Sequence, residues 1–221
     1  MTRRQMFADR VEAGVLLAEA VARLGLVDPL VLALPRGGVP VAAAIARRLG
    51  APLDVVLVRK LGAPDEPELA IGAVADGGDP VTVLNDRLVA ALGVSPGYIA
   101  AETARQLKLI EQRRASYAGL RPQVSPAGRA AVVVDDGVAT GMTMQVALRS
   151  VRSLGPNRLV AAVPVASEDA LRMLQAEADE AVCLSAPREF LSVGSFYRAF
   201  EQVSDAEVER LLRQGGEMAR P

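Results

Sequence analysis

The residues best placed to do chemistry lie in one short stretch, VVVDDGVATGMTM, residues 132 to 144. An apolar run ends in two adjacent carboxylates, Asp135 and Asp136. A turn of Gly137, Val138, Ala139, Thr140 and Gly141 then leads through Met142 and Thr143 into an amphipathic segment. Like charges side by side repel, so a ligand must want them. Such a turn presents backbone N–H groups and the positive end of a helix dipole, with two threonine hydroxyls beside them, which suits a phosphate. Carboxylates repel phosphate but accept hydrogen bonds from sugar hydroxyls. The pattern describes a ribose whose 5′-phosphate sits on the turn and whose 2′- and 3′-hydroxyls face Asp135 and Asp136. An ordinary turn with Asp as a helix cap accounts for one aspartate, not for two followed by both threonines. Met142 stands where a Walker P-loop needs lysine, and no G-x-G-x-x-G follows the first strand.

Two more segments carry charge where strands end. In LPRGGVPVA, Gly37 and Gly38 allow close approach of the backbone to a ligand, and Arg36 supplies a charge-assisted fork for an anion. In VRKLGAPDEPELAIGAV, Arg59 and Lys60 close the second strand and are expected at the same crevice. Lys60 is one of two lysines in an arginine-rich chain. The segment from Leu61 to Glu68 is rich in Pro and acidic residues and reads as a mobile, solvated loop.

These residues need a frame. Short Val- and Leu-rich runs at PLVLALP, LDVVLVRK, PVTVLN, RAAVVVDD, RLVAAVPVA and EAVCLSA are nearly continuous in hydrophobicity, as strands covered on both faces are. Helical stretches alternate with them, including VPVAAAIARRLG, the long segment from Ser95 to Gly119, GMTMQVALRSVRSLG and SEDALRMLQAEA. The alternation predicts an α/β, doubly wound domain with a mainly parallel sheet, whose functional loops lie at the carboxyl ends of strands. An opening helix runs from Phe7 to near Gly25. The tail from residue 184 gathers Phe190, Phe196, Tyr197 and Phe200 and ends in a helix with Ser204 and Glu207 in capping-box spacing.

Composition narrows the chemistry. The 221 residues are 51% apolar with a formal net charge of −1, so the chain can bury a core but offers no global field for nucleic acid or an anionic membrane. Histidine is absent, which removes histidine metal sites and histidine-dependent triads. The single cysteine, Cys183, sits in an apolar run and reads as a buried strand thiol in a reducing, cytoplasmic setting. No run of 18 apolar residues suggests a membrane span, and no signal-peptide cleavage site is present. The charges of ARQLKLIEQRR read as a solvated helix face.

The segment from Val132 to Thr143 resembles the phosphoribosyl diphosphate (PRPP) motif of type I phosphoribosyltransferases: hydrophobic residues, two acids, then a turn with Thr-Gly and a further Thr. Ala139 before Thr-Gly is similar to the adenine phosphoribosyltransferase type. The 6-oxopurine enzymes carry Asp there, which argues against a hypoxanthine or guanine mechanism. The resemblance implies one phosphoribosyltransferase domain over residues 1 to 221, with its core at about 28 to 184. A helical insertion at about 86 to 120 and a C-terminal hood and helix at about 185 to 216 would be added to that core. LPRGG looks like the family's pyrophosphate loop, which often holds a non-proline cis peptide, here expected at Pro35-Arg36 or beside it. The segment 61 to 68 would be the flexible catalytic loop.

By the same resemblance, Arg36 and Lys60 would act on the departing pyrophosphate, Glu68 near the base. Gly37, Gly38, Arg59, Asp135, Asp136 and the turn from Gly137 to Thr143 would bind PRPP. Mg²⁺ would be held chiefly by diphosphate oxygens, ribose hydroxyls and water, with no dedicated metal residue. The partners implied are PRPP and a nucleobase or similar nitrogen acceptor, in nucleotide salvage, and a homodimer is compatible with the family. Phe190, Phe196 or Tyr197 would either stack on the base or pack a small subdomain. A non-catalytic PRPP- or nucleotide-sensing regulator on the same fold is the alternative. A sugar-phosphate hydrolase lacks a recognisable nucleophile.

Overall fold

The computed structural model describes residues 6–76, 80–118 and 123–217. Both chain ends beyond these limits, and residues 119 and 120 of the expected insertion, lie outside the described residues. In chain order the elements are α1 (Arg10–Ala22), β1 (Pro29–Ala33), α2 (Gly38–Leu49), β2 (Leu53–Val55), β3 (Val58–Gly62), β4 (Ala70–Ala75), β5 (Val81–Leu84) and α3 (Asp86–Ala91). There follow α4 (Pro96–Ala118), β6 (Ala130–Val134), α5 (Met142–Ser153), β7 (Arg158–Val165), α6 (Glu168–Glu177), β8 (Glu180–Ser185) and α7 (Asp205–Glu217). A short 3-10 turn covers Val193–Phe196.

Five strands form a parallel sheet in the order β2-β1-β6-β7-β8. Successive side chains on a strand point to opposite faces, so each strand feeds two cores. Val31, Ala33, Val132 and Val134 join Leu17, Ile45 and Leu212 from α1, α2 and α7. Leu30, Leu32, Ala131 and Val133 join Met144, Leu148 and Leu174 from α5 and α6. Burial on both faces is why these runs lack the polar alternation of a half-exposed strand. Each fully buried Val or Leu contributes about 1.5–3 kcal/mol. Winding proceeds from β1 to β2 on one side and from β6 through β7 to β8 on the other. The switch point, where α/β sheets open a crevice, falls between β1 and β6.

The run LDVVLVRK departs from expectation. It forms two strands, β2 and β3, separated by Val56 and Leu57, and β3 leaves the parallel sheet. β3, β4 and β5 make a separate antiparallel sheet, with Lys60 paired to Ala73 and Val74 to Thr82. Connection length is the physical reason: a parallel pair needs a crossover of roughly a dozen residues. Between β3 and β4 the chain turns back tightly, Ala63 N–H donating to Leu69 O at 2.9 Å and Leu69 N–H to Glu66 O at 2.9 Å. The strand β4, AIGAVA, falls in a stretch the sequence reading leaves without a strand, because Ala and Gly carry little strand signal. α4 packs along this small sheet, Tyr98 Oη donating to Gly62 O at 3.0 Å.

The N-terminal segment and the aromatic tail meet. Phe7 N–H donates to Phe196 O at 2.8 Å and Arg198 N–H to Phe7 O at 2.9 Å, tying the two together.

Candidate functional site

The loop after β6 lies at the switch point, and its carbonyl side is pinned to the end of β7. Val138 N–H donates to Val165 O at 2.9 Å, Ser167 N–H to Val138 O at 3.0 Å, and Ser167 Oγ to Ala139 O at 2.7 Å. Ala139 and Thr140 are exposed. Gly141 takes a left-handed φ of 89°, which favours glycine, and begins α5 without any side-chain cap.

That missing cap is informative. Gly37, at the start of α2, also supplies none. The other five α-helices among the described residues are capped: Asp9 Oδ1 accepts from Glu12 N–H, Asn85 Oδ1 from Leu88 N–H, Ser95 Oγ from Tyr98 N–H, Ser167 Oγ from Ala170 N–H and Ser204 Oγ from Glu207 N–H. A helix leaves its first amides unpaired, and a buried end without a partner is costly. The two α-helices that follow the adjacent strands β1 and β6 thus start without a side-chain cap. At α2 the Gly38 and Val39 amides turn back to Leu34 O and Arg36 O at 3.0 and 3.2 Å, so it is α5, behind the exposed Ala139 and Thr140, whose first amides can meet an outside acceptor.

The aspartates do not behave alike. Asp136 Oδ2 accepts from Arg10 Nε at 2.7 Å, both side chains nearly buried. Arg10 Nη1 donates onward to Glu201 O at 2.8 Å, and its guanidinium lies 3.8 Å from the Phe200 ring centre. Tyr197 Oη donates to Asp136 O at 2.5 Å. Asp135 has no ion-pair partner among the described residues; its Oδ1 accepts from Asp136 N–H at 2.8 Å. Burial pushes both carboxyls up. Asp135 rises further, because the charge of Asp136 adds to its burial, whereas Arg10 pulls Asp136 back down.

Gly37 and Gly38 also permit a close approach within the chain. A Cβ on Gly38 would lie 2.7 Å from Val134 O, and one on Gly37 would run into the Asp136 carboxylate. The glycines let this loop close against the acidic pair. The peptide Pro35-Arg36 is cis.

Beside this junction opens a cleft of about 400 Å³, lined among others by Arg36, Arg59, Arg113, Thr143 and Asp205. Three guanidiniums against one carboxylate suit a polyanion. Arg59 reaches this cleft from β3. Lys60, the next residue on that strand, points to the other face and does not line it, so the expectation of both at one crevice holds for Arg59 alone. Glu68 sits exposed on the tip between β3 and β4 and is not among the lining residues. The Met142 side chain packs with Ala73, Ala75 and Val146 under the small sheet.

The expected hood aromatics pack on one another: Phe196 and Tyr197 are buried, with ring centres 5.4 Å apart for Phe7–Tyr197 and 5.2 Å for Phe190–Phe196. Cys183 is half-buried, its thiol pushed up by burial. Among the described residues no three His, Cys, Asp or Glu side chains gather to hold a metal, and no helix is long and apolar enough to cross a membrane.

Sequence reasoning missed Arg10, Tyr197's bond to the loop, Arg113 and Asp205. Arg10 and Asp205 carry no motif, and Arg113 lies in a charge-rich helix that resembles any solvated face.

A family model described as phosphoribosyl transferase domain matches residues 12–194. Two Mycobacterium tuberculosis proteins, "Putative phosphoribosyl transferase Rv0571c" of strain H37Rv and "Putative phosphoribosyl transferase MT0597" of strain CDC 1551, are each 44% identical over 208 residues, 94% of this chain. The chain spans about half the length of these relatives, 46% of each. The crystal structure of TT1426 from Thermus thermophilus matches with a TM-score of 0.82 and 49% identity, covering 96% of this chain and 100% of that one.

Proposed function

The chain belongs to the phosphoribosyl transferase domain family, and on that premise we propose that it transfers a 5-phosphoribosyl group from PRPP to a ring nitrogen of a nucleobase or similar acceptor, releasing pyrophosphate. The observation that carries this reading is the pair of uncapped helix starts, α2 and α5, on adjacent strands. A ligand with a phosphate for the start of α5 and a diphosphate for the arginines beside α2, joined by a sugar, spans both.

The 5′-phosphate takes the amides and hydroxyls from Ala139 to Thr143. Asp135 accepts from the ribose hydroxyls, while Asp136, held by Arg10, fixes the loop from behind. The diphosphate lies against Gly37, Gly38, Arg36 and Arg59. Displacement at C1 passes through an oxocarbenium-like state with charge growing on the leaving pyrophosphate, so fixed guanidiniums and amides there lower the barrier. The tip between β3 and β4, carrying Glu68, acts as the lid that excludes water. Mg²⁺ would be held chiefly by diphosphate oxygens, ribose hydroxyls and water, with no dedicated metal residue, and would neutralise part of the diphosphate charge.

The test is a panel of purine and pyrimidine bases with PRPP and Mg²⁺, read as pyrophosphate release. Release with at least one base is expected. Tight PRPP binding without transfer to any base would replace this reading with that of a PRPP or nucleotide sensor working in nucleotide metabolism.

A further inference from the structure

Arg113 lies outside every segment that resembles a family motif, yet it faces the same cleft as Arg36 and Arg59. It comes from the last turns of α4, its guanidinium 4.9 Å from the Tyr117 ring centre. Its Nη2 donates to Asp205 Oδ1, and Arg36 Nη1 lies 3.6 Å from that same oxygen. One carboxylate, from the first turn of α7, thus bridges two arginines drawn from otherwise separate elements. Asp205 is 49% exposed and Arg36 37%, so the bridge is half-open to solvent. Exposed ion pairs of this kind are weak. A diphosphate brings several charges and oxygens to the same two forks and outcompetes one carboxylate.

Resting on the transferase reading above, we infer that Arg113 is a third guanidinium ligand of the diphosphate, and that Asp205 is the internal anion the diphosphate displaces. In the empty cleft Asp205 keeps Arg36 and Arg113 aligned and lowers their mutual repulsion. On binding, both arginines turn to phosphate oxygens and Asp205 is released to water. The cleft exchanges one anion for another, and its affinity is set by the difference.

Breaking the pair from its two sides separates this proposal from a structural role. Magnesium pyrophosphate and PRPP are titrated calorimetrically into the wild-type protein, Asp205→Asn and Arg113→Gln. Asp205→Asn keeps the Ser204 cap and should tighten pyrophosphate binding several-fold, because no internal competitor remains. Arg113→Gln should weaken it about tenfold or more. If the pair merely braces α4 against α7, both variants shift affinity the same way, and that result overturns the proposal. An unchanged affinity in Arg113→Gln also overturns it. A wild-type protein that binds neither pyrophosphate nor PRPP would instead defeat the transferase reading, and this inference with it.

Discussion

Arg10 Nε lies 2.7 Å from Asp136 Oδ2, joining the first turn of α1 to the loop after β6 across 126 residues of sequence. One oxygen of the motif's second acid is thereby engaged within the protein. It is also why two like charges tolerate adjacent places: one of them has a buried cation.

Arg10→Ala should cost about 3–5 kcal/mol of stability, since it leaves a carboxylate buried without its partner. Combining it with Asp136→Asn should recover much of that loss, as no charge is then stranded. Urea unfolding of the two single variants and the double variant measures this. Additive losses would show that the pair is not coupled.

Asp135 gives a pH dependence with a definite sign. Its folded-state pKa is raised by burial and by the charge of Asp136. A carboxyl with a raised folded value binds its proton more tightly when folded. Its stabilising share is therefore present below the ordinary carboxylate range and is lost as pH rises through the folded value. Asp135→Asn keeps an acceptor for Asp136 N–H and removes the titration. The variant's stability advantage over wild type should grow as pH rises from acid toward neutral, while its affinity for PRPP falls. A stability difference that does not change with pH would contradict the assignment.

Arg59 and Lys60 should part company. Arg59→Ala removes a charged ligand from the cleft, an effect of about 1.5–3 kcal/mol, or roughly ten- to a hundredfold in pyrophosphate affinity. Lys60→Ala should stay within about twofold, because its side chain leaves the other face of β3. Parallel titrations decide the matter. A larger loss at Lys60 would mean that the small sheet turns over when ligand binds.

Gly38→Ala should destabilise the protein by about 1–3 kcal/mol and abolish tight PRPP binding. Its new methyl meets the backbone carbonyl of Val134, placed at 2.7 Å, which cannot swing aside as a side chain would. Thermal unfolding and a PRPP titration read both effects. Wild-type affinity in this variant would show that the contact between the two loops does not shape the site.

The parallel sheet and the turn between β6 and α5 were legible in the sequence because both depend on local patterns. Double-sided burial leaves unbroken Val and Leu runs, and Asp135 to Thr143 combines residue types that have few other reasons to be adjacent. The small antiparallel sheet was hidden, since AIGAVA is as compatible with a helix or a loop as with β4. Arg10, Arg113 and Asp205 were invisible for another reason. Their roles arise from contacts across 92 to 191 residues, which no periodicity encodes. Arg36 lines the cleft next to the two glycines that mark it in the sequence, whereas Lys60 is not among the lining residues, because strand alternation separates it from Arg59.

The register of β1 against β6, Pro29 opposite Ala130 and Ala33 opposite Val134, has a kinetic consequence. The two halves of the site are synthesised about a hundred residues apart, and Arg10 waits longer still for Glu201. Non-local pairings of this kind are closed late and slowly, because the entropy of a long loop is lost before any contact is gained. A chain emerging from the ribosome carries the loop from Pro35 to Gly38 long before the turn from Gly137 to Thr143 exists to meet it. Ligand affinity should therefore appear as one of the last events of refolding, after most helical structure has formed. Stopped-flow refolding, followed in parallel by circular dichroism and by a fluorescent PRPP analogue, should show the two signals rising at separate rates.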